Sequence, residues 1–207
     1  MERLTLEKIV DFLQKIDKKS KKETQTSLNR LPEYYLGVKL SDYLYKSGYG
    51  FELEKPAKEI VNSLGIDNLK LKNTASKLAK ELNTDEDKII KRVTNGRVDL
   101  VVLTEDKRSI KHLIELKIGS KLTKLEQDIT RLIFFSKISD KRSIQRSFMV
   151  FTSSGLNQSS IEDKIQKLAD NFNTKIYYIS FKANLKSTKG RSIGKDIFVW
   201  AIEICNN

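Results

Sequence analysis

The chain has 207 residues, of which 39 are Lys or Arg and 27 are Asp or Glu, so its net charge is +12. This length suits one domain with a hydrophobic core. The single cysteine, Cys205, and the single histidine, His112, exclude an intramolecular disulfide and metal sites that need several Cys or His ligands.

The positive charge favours a nucleic acid as the partner, because basic surfaces attract polyanions. A lysine-rich surface that reflects AT-rich coding or a hot habitat is the alternative. No run of about 18 apolar residues is present, so we expect an intracellular, cytoplasmic protein without a membrane partner.

The first fifty residues predict two helices and a strand. Apolar residues at helical spacing predict an amphipathic first helix, and "KKSKKETQTS" then predicts a loop. We therefore expect residues 1–29 to form an N-terminal helix and basic linker, separate from an α/β domain at residues 30–207. "RLPEYYLGVKLSDYLYKSGYG" predicts a helix from Pro32 to Gly48, and "YGFELEK" a short strand that ends at Pro56.

Residues 56–93 are helical in pattern and predict an insert. Its second part, "NTASKLAKELNTDEDKIIKRV", superficially resembles a helix-turn-helix, but the pattern is short and matches many helical hairpins. An inserted cap is the preferred interpretation.

From Asn95 onwards, predicted strands alternate with predicted helices. The strands are "RVDLVVLT", "SIKHLIELKIG", "SFMVFTSS", "KIYYISFKA" and "DIFVWAIEI", and the helices are "TKLEQDITRLIFFSKIS" and "QSSIEDKIQKLADNFN". This order predicts an α/β fold with a mixed sheet between helices.

Two of these apolar strands carry charges where a core strand should be apolar. Side chains alternate along a strand, so Glu115 and Lys117 point to one face. If the two strands form a hairpin that turns within "TEDKRS", a register that pairs Asp99 with Glu115 places all three charges on that face. An acid-x-Lys pair occurs at four other places, so the strand context carries this inference.

Two facing carboxylates favour a bound cation, because like charges raise each other's pKa. Oxygen ligands without His or Cys favour Mg²⁺ or Mn²⁺. An adjacent lysine can position a water and offset charge that develops on a phosphate. An ordinary ion pair between Glu115 and Lys117 is the alternative, although it leaves one buried acid uncompensated.

The arrangement of Asp99, followed sixteen residues later by Glu115-Leu116-Lys117, resembles the PD-(D/E)XK nuclease superfamily of restriction endonucleases, Holliday-junction resolvases and RecB-type exonucleases. The resemblance spans roughly residues 30–182. It implies a restriction-endonuclease-like mixed β-sheet flanked by helices, with the helical insertion described above. It also implies a Mg²⁺- or Mn²⁺-dependent nuclease.

In that family the two acids and the carbonyl of the residue between acid and lysine bind the metal, which here implies Asp99, Glu115 and the Leu116 carbonyl. Lys117 would then assist the attacking water. Glu33 matches an additional helix glutamate of the family, with an ordinary acid at a helix N-terminus as the alternative.

Two positions depart from the family pattern. Gln127 matches a glutamine of RecB-like members, but Arg131 stands where those members have tyrosine, and Val98 stands where the motif's name has proline. The RecB-like signature is therefore incomplete.

We expect DNA, or RNA, as the substrate, and a homodimer, since cutting two strands needs two sites. Four basic residues are candidates for backbone contacts: Arg97, Lys121, Lys189 and Arg191. A solvated loop is the alternative for the last two. Two other functions stay open, a nucleic-acid-binding protein that has this fold without catalysis and a protein-interaction domain.

Overall fold

The computed structural model describes residues 3–24, 28, 31–104, 106–119, 122–139, 143–154, 158–183 and 196–205. The helices are α1 (Leu6–Thr24), α2 (Glu33–Lys46), α3 (Ala57–Ser63), α4 (Asn68–Glu81), α5 (Glu86–Thr94), α6 (Leu122–Ile138) and α7 (Gln158–Asn171). The strands are β1 (Gly50–Pro56), β2 (Arg97–Leu103), β3 (Ile110–Lys117), β4 (Arg146–Ser154), β5 (Ile176–Lys182) and β6 (Ile197–Cys205).

The strands form one six-stranded sheet in the order β1-β2-β3-β4-β6-β5. The first three strands are antiparallel neighbours, β4 runs parallel to β3, and β6 is antiparallel to both β4 and β5. Helix α6 connects the parallel pair, as a parallel connection requires. The predicted α/β class with a mixed sheet between helices is therefore confirmed.

Each face of the sheet is covered by a separate layer of apolar side chains, because successive residues of a strand point to opposite faces. Helices α1 and α2 cover one face, and α3 to α7 cover the other. On β3, Leu113 packs on the α6 side, while Ile114 and Leu116 pack on the α2 side. The end of β3 thus lies between α2 and α6.

Helix α1 is part of the core, whereas the sequence predicts a separate N-terminal segment, and residues 18–24, predicted as loop, continue the helix. Its apolar stripe packs in the same cluster as Leu36 of α2 and Phe148 of β4. The backbone N–H of Leu6 also donates to Glu203 Oε2 at 3.2 Å, and Glu203 pairs with Arg146 at 2.7 Å. The apolar stripe of an amphipathic helix indicates that the helix packs on another part of the protein. The sequence does not show which part that is.

Helices α3, α4 and α5 lie between β1 and β2 in the chain, where the sequence predicts the helical insert. Their buried side chains, such as Ile60, Leu78 and Ile89, join the core cluster on the α6 side. The insert therefore packs on the same side of the sheet as α6. Within the described ranges, no helix combines the length and the hydropathy needed to cross a bilayer.

Candidate active site

The amine of Lys117, at the end of β3, meets oxygens from four places in the fold. Lys117 Nζ donates to Glu33 Oε2 of α2 at 3.1 Å and to the Leu116 carbonyl at 3.0 Å. It also lies 3.9 Å from Asp99 Oδ2 of β2 and 4.0 Å from Asp128 Oδ2 of α6. One cation thus joins carboxylates from three elements.

This environment keeps Lys117 charged. Burial by itself lowers the pKa of Lys117, but the carboxylates of Asp99 and Asp128 and the hydrogen bond to Glu33 outweigh it, so the pKa is raised. The side chain is therefore an ammonium at neutral pH. It can donate hydrogen bonds and offset negative charge, and it cannot accept a proton.

Glu115 lies two residues earlier and is fully buried on the α6 side. Its Oε1 accepts a short hydrogen bond from Nη2 of Arg131, and the same Nη2 lies 3.1 Å from Asp128 Oδ1. Burial raises the pKa of Glu115 well above its usual value, Arg131 opposes the rise, and Asp99 and Asp128 add to it. Its second oxygen, Oε2, is buried without a hydrogen-bond partner among the described residues.

Such an oxygen is expensive, since a buried polar atom without a partner loses its hydration with no compensation. A carboxylate oxygen accepts hydrogen bonds or binds cations when it is ionised. A cation, a donor or a proton on this oxygen would compensate the unpartnered Oε2 of Glu115.

Strand alternation predicts Asp99 on the face of Glu115, but in the structure Asp99 reaches the α2 side of the sheet. Its Oδ2 accepts a hydrogen bond from the Leu116 N–H at 2.6 Å. Asp99 also borders a cavity of about 50 Å³ with Glu33 and Gly37 of α2. Glu115, by contrast, contacts Arg131 of α6.

A local irregularity explains this difference. Val98 and Val101 pack in the same core cluster, which regular alternation does not allow for residues three apart. Opposite Asp99 on β1, Glu54 has a φ of 54°, in the left-handed region. The predicted hairpin itself is confirmed, and its observed pair Leu100 with Ile114 has the register that the sequence predicts.

The donor atoms fit a hard divalent cation in kind, since they are carboxylate oxygens and the Leu116 carbonyl. Among the described residues, however, no group of three or more Asp, Glu, His or Cys side chains is arranged to hold a metal ion. Lys117 and Arg131 lie between the acids and supply the positive charge. Metal binding therefore requires these two cations to give up some of their contacts.

Gln127 is exposed and lies beside this cluster rather than in it. It lines a cleft of about 430 Å³ between α5 and α6, together with Asp128 and Arg131. Arg97 is exposed at the start of β2. The other candidates for nucleic-acid contacts, Lys121, Lys189 and Arg191, lie outside the described residues.

Sequence reasoning missed Asp128 and gave Arg131 no role in the site. Both lie on α6, three residues apart, beside the buried positions Leu125 and Ile129. Charged residues at the border of a buried helical stripe are the signal that could have indicated them. That signal alone does not show which end of the sheet they reach.

Comparisons of the chain with protein-family models, with curated proteins and with solved structures give no match. Two sources therefore bear on function. One is the geometry of this cluster, and the other is the residue pattern of the chain.

Proposed function

We propose that the chain is a Mg²⁺- or Mn²⁺-dependent nuclease with a restriction-endonuclease-like fold, which hydrolyses phosphodiester bonds in DNA. One observation carries the proposal. The amine of Lys117 lies within 4.0 Å of carboxylates from α2, β2 and α6, at the end of an apolar strand. A purely structural ion pair needs one acid for one lysine, and further buried acids cost free energy unless a cation compensates them.

The order of the elements agrees with the resemblance to PD-(D/E)XK nucleases. Helix α2 carries Glu33, β1 follows, Asp99 lies on β2, Glu115 and Lys117 lie on β3, and α6 comes next. Glu33 in particular joins the cluster, because its carboxylate accepts a hydrogen bond from Lys117. This contact supports the interpretation of Glu33 as a site residue over that of an ordinary helix-terminal acid.

Asp99, Glu115 and the Leu116 carbonyl are the groups that would hold the metal, which requires Asp99 to turn from the α2-side cavity towards the ion that Glu115 binds. When bound, a divalent cation activates a water and neutralises charge on the phosphate. The ammonium of Lys117 donates hydrogen bonds to the attacking water or to a phosphate oxygen, where it offsets the charge that develops. Glu33 holds that ammonium in position.

The test is cleavage of a nucleic-acid panel in Mg²⁺ or Mn²⁺: linear, nicked, single-stranded, forked and four-way DNA, with duplex RNA beside them. Asp99→Asn and Lys117→Ala should abolish cleavage while circular dichroism shows the fold intact. Lys111→Ala removes a lysine from the other end of β3 and serves as the matched control. Full activity in either site variant, or no cleavage by the wild type, would overturn the proposal.

A homodimer is part of the same proposal, because two sites are needed to cut both strands of a duplex. Sedimentation with and without duplex DNA measures the state directly. A monomer that makes double-strand breaks in a single binding event would contradict the homodimer but not the nuclease activity.

A nucleic-acid-binding protein without catalysis is the second candidate. The contact of Arg131 with Glu115 favours it, since a protein cation already neutralises one of the proposed metal ligands. This candidate predicts salt-sensitive DNA binding, no cleavage in any metal, and a melting temperature that Mn²⁺ leaves unchanged. A ligand at 100 times its Kd adds about 2.7 kcal/mol of stability, so calorimetry separates the two functions.

A further inference from the structure

A basic cleft lies between the insert and α6, next to the candidate active site. Its volume is about 430 Å³, and it is lined by Lys88, Lys91, Arg92, Asn95, Gln127, Asp128 and Arg131. Four of these seven residues are cationic and one is acidic. The cleft therefore has a net positive charge and is suited to an anion.

The basic face of α5 follows from how the helix packs. Ile89 and Val93, one turn apart, are fully buried and set the rotation of the helix. Lys88, Lys91 and Arg92 are consequently exposed on the other side. The insert thus presents three adjacent cations to solvent.

Most of this charge is not compensated within the part of the chain that the structure describes. No described carboxylate lies within ion-pair distance of Lys91 or Arg92, and Lys88 has only an exposed contact of 4.0 Å with Asp85. Some other surface lysines of the chain pair closely, for example Lys15 with Asp11 at 2.6 Å. Unpaired cations that border a cleft attract phosphate groups more strongly than cations already paired with acids.

The cleft is continuous with the candidate active site through two shared residues. Asp128 and Arg131 line the cleft and also belong to the cluster around Glu115 and Lys117. The turn that joins α5 to β2 borders this region as well, because a Cβ added at Gly96 would lie 3.2 Å from Arg131 Nη1. A strand held in the cleft would therefore lead directly to Lys117.

We infer that this cleft binds the backbone phosphates of the DNA substrate, with Lys91 and Arg92 of the insert as the principal contacts. The inference rests on the proposed function and adds to it the element that positions the substrate. Phosphate contacts of this kind are independent of base sequence and hold the strand in register. Each contact also steepens the salt dependence of binding, by about 0.9 log units per log unit of salt.

Fluorescence anisotropy of a labelled DNA duplex in EDTA, over a series of salt concentrations, tests the cleft without any cleavage. In the double variant Lys91→Ala/Arg92→Ala, the slope of log Kd against log salt should fall by about 1.8, since two phosphate contacts are lost. Binding in about 0.1 M salt should weaken at least tenfold. The matched control is Lys167→Ala/Lys175→Ala, which removes two exposed lysines near β5, at the opposite edge of the sheet.

The control variant should keep the wild-type slope and affinity. Equal losses in both double variants, or no DNA binding by the wild type, would overturn the inference. Displacement of the duplex by millimolar inorganic phosphate alone would show a small-anion site and would also overturn it.

The two proposals fail in different ways. A wild type that binds DNA through the cleft but cleaves nothing in Mn²⁺ contradicts the nuclease and leaves the cleft as a binding site. Cleavage that survives unchanged in Lys91→Ala/Arg92→Ala contradicts the cleft and leaves the nuclease.

Discussion

The guanidinium of Arg131 binds the buried carboxylate of Glu115, and the same Nη2 also contacts Asp128. Arg131 is therefore paired with the acid that the resemblance to the nuclease family implies as a metal ligand. Only one oxygen of Glu115 is used, since Oε2 has no partner among the described residues. A metal ion at the proposed site would therefore compete in part with Arg131 for Glu115, which leads to the first prediction.

Arg131→Gln should bind Mn²⁺ about tenfold more tightly than the wild type, which corresponds to about 1.4 kcal/mol, because the metal no longer competes with the guanidinium. The metal-free variant should lose about 1–3 kcal/mol of stability, since the buried Glu115 has lost the donor to its Oε1. Isothermal titration with Mn²⁺ and urea denaturation measure the two effects.

Lys137→Gln is the control for this variant, because Lys137 lies on the same helix and makes an exposed contact of 3.5 Å with Glu81. It should change neither quantity by much. Weaker Mn²⁺ binding by Arg131→Gln than by the wild type would show that Arg131 supports the metal site.

The stability of the metal-free protein should depend on pH through Glu115. Its pKa is raised well above 4.5 by burial, so between 4.5 and the folded-state pKa the folded chain holds a proton that the unfolded chain has lost. Deprotonation then favours unfolding, and stability falls as pH rises through this window. Glu115→Gln removes the titration but keeps an acceptor for Arg131.

The free energy of unfolding of Glu115→Gln should therefore rise relative to that of the wild type as the pH is raised from about 4.5 towards neutrality. Within this window the difference in the free energy of unfolding should grow by about 1.4 kcal/mol for each pH unit. The reason is that the folded wild type binds one proton more than the unfolded wild type. Scanning calorimetry in EDTA over this range measures the difference. A difference that stays constant with pH would contradict the raised pKa.

Glu33→Gln should slow cleavage about 10- to 100-fold, the usual effect of removing a group that positions a site residue. The reason is that Lys117 Nζ loses the charged acceptor that it meets at 3.1 Å. The KM for DNA should change little, and so should stability, because an exposed ion pair contributes at most about 1 kcal/mol.

Single-turnover cleavage rates measure this effect. Glu23→Gln is the matched control, since Glu23 pairs with Lys39 of α2 at 3.2 Å without any contact to the cluster. A wild-type rate in Glu33→Gln would return Glu33 to the role of an ordinary helix-terminal acid.

Gly96→Ala should destabilise the protein more than Gly65→Ala does. Both glycines have positive φ, 95° and 62°, where a side chain costs about 1–2 kcal/mol. Only at Gly96 would the new Cβ meet another group, because it would lie 3.2 Å from Nη1 of Arg131, while Gly65 has nothing within 4 Å. Urea denaturation of both variants measures the difference.

A double-mutant cycle with Arg131→Gln separates the contact from the difference in φ. The extra cost of Gly96→Ala should largely disappear in the Arg131→Gln background. An unchanged cost there would show that the turn does not position the guanidinium.

The elements of the fold were largely readable from the sequence, because each one has a local periodicity. The strands and helices predicted from Asn95 onwards all occur, and the hairpin has the predicted register. The sequence also named Glu33 as a candidate, and its carboxylate accepts a hydrogen bond from Lys117. These features depend on residues that lie close together in the sequence.

The face of the sheet on which Asp99 lies could not be predicted in this way. Strand alternation puts it on the face of Glu115, but in the structure Asp99 borders the α2-side cavity, opposite the positive φ of Glu54. A break in alternation arises from the pairing of two strands. The sequence of one strand contains no signal for it.

The sequence by itself determined most of the strands and helices and their apolar faces, and it indicated Asp99, Glu115 and Lys117 as a group, because periodicity and charge within an apolar strand are local properties. Only the tertiary structure decided that Arg131 and Asp128 join them, that α1 belongs to the core, and that α5 lines a basic cleft beside the site. Those contacts depend on how helices dock on the sheet, and docking is set by shape and packing over the whole chain.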